Sequence, residues 1–222
     1  MPSKGLNLLL VVAGLGANLY GLYGVKFGLP MPGYGGHFQF LTIVGLLVAT
    51  LSFIVRIVNL LTGTLRPVYE ALTAIATPIE GLISALYWPI VLYDKNMLVL
   101  DDTIFDLPLA LDVSLHFIPT IVCWVDFMVF NTGFKRSPIH ILAIYAFTML
   151  YFVWVNICHD HNGYWPYPML GLFKNDYSRG AFFLCCGWFC SLLYKLIAKG
   201  HSMFHPGDKK ETLEELKNKK TL

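Results

Sequence analysis

The stretch FQFLTIVGLLVATLSFIVRIVNL, residues 38–60, decides the fold class of this chain. A helix needs about 20 mainly apolar residues to cross the hydrocarbon core of a membrane. This run has that length, and Arg56 is its one charged residue. It shows no sustained alternation of apolar and polar residues, which argues against a strand of a membrane barrel. The stretch therefore predicts a transmembrane helix.

The rest of the chain repeats this pattern. Of 222 residues, 56% are hydrophobic and 14% are charged, which is more apolar than a soluble domain of this size requires. The first run continues beyond the small residue Ala17 to Tyr23 and is too long for the apolar core of a cleaved signal peptide. We therefore expect an all-α, polytopic transmembrane bundle of about six helices. The predicted helices are Gly5–Gly24, Phe38–Leu60, Val68–Tyr93, Leu107–Phe130, Ile139–Cys158 and Ala181–Ala198.

The distribution of lysine and arginine near the helix ends predicts the topology. Most of these cations, Arg56 among them, fall on one side, which predicts that both termini are cytosolic. Residues 1–204 would then form the membrane bundle and residues 205–222 a charged cytosolic tail. The tail ends with Lys219 and Lys220 in the fourth and third positions from its C-terminus. This ending resembles a dilysine signal recognised by coat proteins, and we expect a multi-pass protein of the endoplasmic reticulum membrane. The simpler interpretation is a solvated tail.

Polar residues inside the predicted helices are the candidates for function, because ionisable groups are costly at membrane depth. The topology places Thr42, Asp112 and His116 in one leaflet, together with the histidines His159 and His161. With a rise of about 1.5 Å per residue, Thr42 lies about 6 Å and His116 about 14 Å below the starts of their helices. Asp112 and His116 are four residues apart on one helix face, so the carboxylate can fix the imidazole tautomer. Thr42 would complete a set of nucleophile, base and orienting residue.

Each of these residues also has a structural interpretation. A threonine in a membrane helix usually bonds the carbonyl four residues earlier, which would occupy Thr42. His116 alone is compatible with an interhelical hydrogen bond. Glu80 and Asp126 are expected to pair with polar groups inside the bundle. The segment 159–168, rich in tryptophan and tyrosine, has the composition of an interfacial aromatic belt. The alternative is that its two histidines, His159 and His161, bind a metal ion.

Four segments resemble the androgen-induced, FAR-17a-like family of multipass membrane proteins, in the order and spacing of that family. YGGHFQFLT, Tyr34–Thr42, resembles its entry motif of Tyr-Gly-Gly and Lys-Phe-Leu-Thr, and YDKNM, Tyr93–Met97, is similar to its loop after the third helix. LDVSLHFIPT, Leu111–Thr120, is similar to its fourth-helix motif. HDHNGYWPYPML, His159–Leu170, is similar to its segment with His-His, Gly, Trp and Tyr-Pro.

The resemblance implies an intramembrane carboxylic ester hydrolase that cleaves fatty acid esters of hydroxy fatty acids without a metal or other cofactor. Thr42 would be the nucleophile and His116 the base. The candidates for orienting the base or contacting the substrate are Asp112, His159, Trp165 and Tyr167. The chain departs from the family pattern at two places. The family has Asn-His-x-x-His-Thr where this chain reads Asp112 to Phe117, and Asp160 replaces a histidine of the animal members. Both departures leave the catalytic pair in place and concern the identity of the substrate.

Two other classes of function compete with this prediction. One is a non-catalytic membrane protein that binds lipid or acts as a scaffold, in which Thr42→Ala would have no effect. The other is a haem or metal redox protein, for which only His116 lies well inside a predicted helix. No cysteine spacing indicates zinc, and nothing in the sequence indicates a nucleic-acid partner. The expected partners are a lipid substrate, the membrane and a coat protein at the tail.

Overall fold

The computed structural model describes residues 3–29, 31, 33–98 and 107–207. These residues form helices and connecting turns and contain no strand, which confirms the all-α prediction. The predicted tail signal at Lys219 and Lys220 lies outside the described residues. The α-helices are α1 Lys4–Gly28, α2 Leu41–Thr62, α3 Arg66–Asp94, α4 Leu109–His116, α5 Ile118–Val125, α6 Pro138–Asn162 and α7 Asp176–Phe204.

Within the described ranges, six helical segments are long and apolar enough to span a membrane. Side chains such as Leu9, Leu150 and Leu196 are exposed on the outside of the bundle, whereas Asn18 and Asp126 are buried inside it. This distribution is the reverse of that in a soluble protein and suits a surface solvated by lipid. The chain is a multi-pass membrane protein, as its sequence predicted.

The observed helices extend beyond several predicted ends. The helix predicted from Ala181 starts at Asp176 and continues to Phe204. Its polar first turn is stabilised by a capping box, in which Asn175 and Ser178 bond each other's backbone. Hydropathy marks only the part of a helix that suits hydrocarbon, so polar turns beyond it are missed.

The fourth predicted helix is divided in two at Phe117. Phe117 leaves helical geometry, with φ −133° and ψ −52°, and separates α4 from α5. Pro119 has no amide hydrogen, so the carbonyl four residues earlier, on Leu115, loses its helical partner. Asp126–Phe130 then continues α5 as a π-helical segment. The sequence prediction of one continuous helix from Leu107 to Phe130 was wrong at this break.

Helix α3 occupies the centre of the bundle and packs against α2, α4, α5, α6 and α7. Glycines allow close approach at two crossings. A Cβ added to Gly45 would lie 2.5 Å from Ile83 Cδ1, and one added to Gly14 would lie 2.6 Å from Val122 Cγ1. Small residues at such crossings are how membrane helices maximise packing.

Arg56 is buried and forms an ion pair with Asp126, with 3.2 Å between Nε and Oδ1. The Asp126 carboxylate also accepts hydrogen bonds from Asn7 Nδ2 at 3.1 Å and from the Tyr69 hydroxyl at 2.6 Å. The expectation that Asp126 pairs inside the bundle is therefore met. Arg56, which entered the charge count as a cation near a helix end, instead neutralises this carboxylate inside the bundle.

Glu80 behaves differently from Asp126. Its side chain is buried beside Gly45, and neither carboxyl oxygen has a hydrogen-bond partner among the described residues. The expectation that Glu80 pairs with a polar group inside the bundle is therefore not met among the described residues.

Candidate active site

A cavity of about 270 Å³ opens between the helices at the end of the bundle where α2 begins, here called the Thr42 end. Residues from α1, α2, α3, α4, α6 and α7 line it, and Thr42 and His116 are both among them. Most of the wall is aliphatic or aromatic. The side chains with hydroxyl or imidazole groups in the wall are His37, Thr42, Tyr87, His116, Thr148, Tyr151 and Tyr167.

Thr42 lies in the first turn of α2 and is half-buried. The carbonyl four residues earlier, on Phe38, accepts a hydrogen bond from Trp154 Nε1 at 2.9 Å. Within the described residues no hydrogen bond engages the Thr42 hydroxyl, whereas those of Thr50 and Thr148 bond the carbonyl four residues earlier. The structural interpretation of Thr42 as a back-bonded threonine is therefore not met, and its hydroxyl remains available.

His116 is buried at the end of α4 and is oriented by Asp112. Its Nδ1 lies 2.8 Å from Asp112 Oδ1 and 3.1 Å from the Asp112 carbonyl oxygen. Both oxygens are acceptors, so Nδ1 carries the proton and the Nε2 lone pair remains available as a base. Asp112 thus has the tautomer-fixing position that the spacing of four residues predicted.

Tyr87 of α3 holds the same pair from a second direction. Its hydroxyl donates to Asp112 Oδ1 at 2.5 Å. Its ring stacks on the His116 imidazole, with 3.4 Å between ring centroids and 5° between planes. The sequence analysis did not single out Tyr87. The available signal was a hydroxyl group inside an apolar helix, which needs a partner when it is buried.

The backbone of His116 is anchored at the break between α4 and α5. The Ser84 hydroxyl donates to the His116 carbonyl and lies 2.7 Å from the Thr120 hydroxyl. Thr120 Oγ1 in turn donates to the Glu80 carbonyl at 2.7 Å. These bonds join α3 to both sides of the break and fix where α4 ends. Ser84 was also missed, because the break itself was not predicted.

Tyr167 precedes the 3-10 turn Pro168–Leu172 and also lines the cavity. Its phenolic oxygen accepts a hydrogen bond from the Leu41 amide at 2.8 Å, next to Thr42 in the sequence. Burial raises the pKa of the Tyr167 hydroxyl above its ordinary value, so this group keeps its proton. Tyr167 is therefore a hydrogen-bond donor beside the start of α2.

His159 and Trp165 lie at the same end of the bundle but do not line the cavity. Their rings stack at 3.8 Å with 8° between planes, and the Arg179 guanidinium lies 4.5 Å from the Trp165 ring centre. His161 stacks on Tyr34 at 4.2 Å. These aromatic and cationic contacts have the character of an interfacial belt. The structure thus separates two candidates, His159 and Trp165, from the group around Thr42.

Metal ligands do not cluster in the described part of the chain, where no group of three His, Cys, Asp or Glu residues could hold an ion. Four side chains in or beside the cavity offer a combination of groups that suits chemistry. They are a free hydroxyl on Thr42, an oriented imidazole on His116, the carboxylate of Asp112 and the phenol of Tyr167. A hydroxyl and an oriented imidazole are the components of nucleophilic acyl transfer.

Comparison with known proteins gives the chain a family context. The sequence model of the FAR-17a/AIG1-like proteins matches residues 24–202, a range that includes every cavity residue discussed above. A UPF0641 membrane protein of Schizosaccharomyces pombe is 36% identical over 142 residues, which are 63% of this chain and 64% of that protein. The match thus spans less than two thirds of the relative. No solved structure matches.

Proposed function

The chain belongs to the FAR-17a/AIG1-like family, and from that premise we propose that it is an intramembrane hydrolase of fatty acyl esters. Thr42 is the nucleophile and His116 the general base. The observation that supports this proposal most strongly is that both side chains line one largely apolar cavity. The Thr42 hydroxyl is unused by the helix, and His116 is oriented by Asp112.

The first half of the reaction transfers the acyl group to the enzyme. His116 Nε2 takes the Thr42 hydroxyl proton as Thr42 Oγ1 attacks the ester carbonyl carbon. The carbon–oxygen bond to the leaving alcohol breaks, and the imidazolium returns its proton to that alcohol oxygen. The products of this half are an acyl-threonine and a free hydroxy fatty acid. Asp112 stabilises the imidazolium through the bond to Nδ1.

The second half regenerates the nucleophile. His116 takes a proton from a water molecule, whose oxygen attacks the acyl-threonine carbonyl. The fatty acid leaves, and the proton returns to Thr42 Oγ1. The Tyr167 hydroxyl is the candidate donor to the oxyanion in both halves, because it lies beside α2 and keeps its proton. Other donors near the start of α2 are the backbone amides of Gly35 and Gly36 and the side chain of Trp165, but these residues do not line the cavity.

No hydrogen bond joins Thr42 to His116 among the described residues. Catalytic hydrogen bonds are often long without substrate and tighten in the reactive complex. The cavity geometry is therefore compatible with the proposed pair, whose hydrogen bond has to form in the complex with the ester.

The deciding experiment measures hydrolysis of a fatty acid ester of a hydroxy fatty acid by the purified chain in nanodiscs. Thr42→Ala and His116→Ala should abolish turnover, whereas Thr42→Ser keeps a hydroxyl and should retain it. Thr62→Ala is the matched control, because this threonine bonds the Val58 carbonyl at the opposite end of α2. Wild-type rates in Thr42→Ala would remove the residue from the mechanism. Labelling of Thr42 by a fluorophosphonate would support the covalent step.

A second candidate function is lipid binding without catalysis, favoured by the apolar wall of the cavity and by the fact that no hydrogen bond joins Thr42 to His116 among the described residues. It predicts that Thr42→Ala still copurifies with lipid and that neither protein turns over an ester. The cellular site we propose is the endoplasmic reticulum membrane, with a coat protein recognising the C-terminal lysines. Both termini would be cytosolic in that arrangement.

A further inference from the structure

The cavity extends well beyond the level of the proposed catalytic pair. Tyr87 marks that level on α3, because its ring stacks on His116. Ile83 and Ile79 of the same helix also line the cavity. Ile79 lies eight residues before Tyr87, which is about 12 Å deeper at a rise of about 1.5 Å per residue. We call this part of the cavity the deep arm.

Helix α7 forms the opposite wall of the deep arm. Phe182, Cys186 and Cys190 recur every fourth residue and all line the cavity, so they share one face of the helix. Cys185 lies on another face and is exposed on the outside of the bundle. The two helices therefore enclose a channel that runs from the Thr42 end toward the bilayer midplane.

Among the residues that the structure describes, the wall of the deep arm offers no free polar group to a ligand. Phe147 and Thr148 of α6 complete its wall, and the Thr148 hydroxyl is occupied by the Ile144 carbonyl at 2.8 Å. The thiols of the half-buried Cys186 and the buried Cys190 behave as small apolar groups. An alkyl chain suits this wall, whereas a carboxylate would be left without a partner.

We propose that the deep arm holds the acyl chain that is transferred to Thr42, and that Cys190 and Phe147 limit its length. This inference rests on the proposed hydrolysis. A fatty acid ester of a hydroxy fatty acid carries a free carboxylate on its alcohol part, which has to stay near the Thr42 end and its polar groups. The acyl chain ends in a methyl group and is the part that can enter the deep arm.

The first test compares hydrolysis of palmitoyl and octanoyl esters of the same hydroxy fatty acid. Cys190→Phe should lower the palmitoyl-to-octanoyl rate ratio by about 10- to 200-fold. One methylene group in an apolar site changes the discrimination between two substrates by that range. Phe147→Ala lengthens the arm and should raise the ratio, which keeps the test decisive if the bulky variant does not fold. Cys185→Phe adds the same bulk on the lipid side of α7 and should leave the ratio unchanged. An unchanged ratio in both cavity variants would overturn the proposal.

A second test does not depend on turnover. A palmitoyl ester with a diazirine at the end of its acyl chain is bound to the wild-type chain and photolysed, and the labelled peptides are sequenced. Labels near Cys186 and Cys190, or near Phe147, support the proposal even if no hydrolysis is found, in which case only the proposed function fails. Labels confined to the Thr42 end or to the outside of the bundle would overturn the proposal even if the ester is hydrolysed.

Discussion

The ring of Tyr87 lies parallel to the imidazole of His116 at 3.4 Å, while its hydroxyl donates to the carboxylate that orients the same imidazole. One side chain of α3 therefore fixes both the plane of the proposed base and the position of Asp112. Tyr87 acts through these two residues and is a positioning residue. Its contribution can be separated into a stacking part and a hydrogen-bonding part.

Tyr87→Phe should lower kcat by about 10- to 150-fold with little change in KM, because it removes a hydrogen bond to a charged group that is worth about 1.5–3 kcal/mol. Tyr87→Leu removes the stacking as well and should be slower still. Steady-state kinetics on one ester measures both variants. Equal kcat in Tyr87→Phe and the wild type would show that the hydroxyl does not position the base.

Asp112→Ala should lower kcat by more than Asp112→Asn does. The alanine leaves Nδ1 of His116 without its side-chain acceptor, whereas the amide oxygen of asparagine can still accept that hydrogen bond. The corresponding aspartate-to-asparagine change costs about 10⁴-fold in one well-studied triad, so we expect a loss of up to that order for the asparagine variant and a larger loss for the alanine variant. Similar rates for the two variants would contradict an orienting role for position 112.

Hydrolysis should fall as the pH is lowered, because a protonated His116 cannot take the Thr42 proton. Activity should not fall between neutral pH and about pH 9 through deprotonation of Tyr167. Burial raises the pKa of this hydroxyl above its ordinary value of about 10, so it stays protonated in that range. The pH dependence of kcat/KM checks both limbs. An alkaline loss in the wild type that disappears in Tyr167→Phe would contradict the assignment of Tyr167 as a protonated donor.

Tyr167→Phe should itself lower kcat by about 10²- to 10³-fold if the phenol stabilises the oxyanion, the range found for removal of one such donor. Trp165→Phe is the matched control, because Trp165 comes from the same loop but lies outside the cavity. A stronger effect of Trp165→Phe than of Tyr167→Phe would move the oxyanion site away from α2.

Arg56→Met should lower the free energy of unfolding by about 3–5 kcal/mol, because it leaves the buried Asp126 carboxylate without its cation. Arg66→Met breaks the more exposed pair with Glu70 and should cost at most about 1 kcal/mol. Thermal unfolding in detergent compares the two variants. Equal destabilisation would mean that the Arg56 pair does not stabilise the bundle.

The sequence alone predicted the helical class, the six spans found in the described residues and a common location for Thr42 and His116, since these depend on hydropathy and residue order. It also predicted the Asp112 to His116 contact, because a separation of four residues is fixed by helix geometry. It missed Tyr87 and Ser84, whose roles depend on how α3 packs against α4 and α5. It missed the break at Phe117, because hydropathy is unaffected by a missing amide hydrogen at Pro119. The sequence analysis also placed Arg56 among the cations near the helix ends. Its partner Asp126 is 70 residues away, so their pairing could not be seen from the sequence.

The pairing of Arg56 with Asp126 has a consequence for biogenesis. Helix α2 is synthesised before α5, so its arginine reaches the membrane before the carboxylate that neutralises it in the finished bundle. An arginine at the centre of a helix costs about 2.5–3.5 kcal/mol to insert, and Arg56, six residues before the end of α2, carries a smaller cost of the same kind. Helix α2 is also the most apolar of the six spans, which offsets this cost and allows the segment to enter the bilayer while its counterion is still unmade. The order of translation thus explains why the helix with a buried cation is also the one with the strongest preference for lipid.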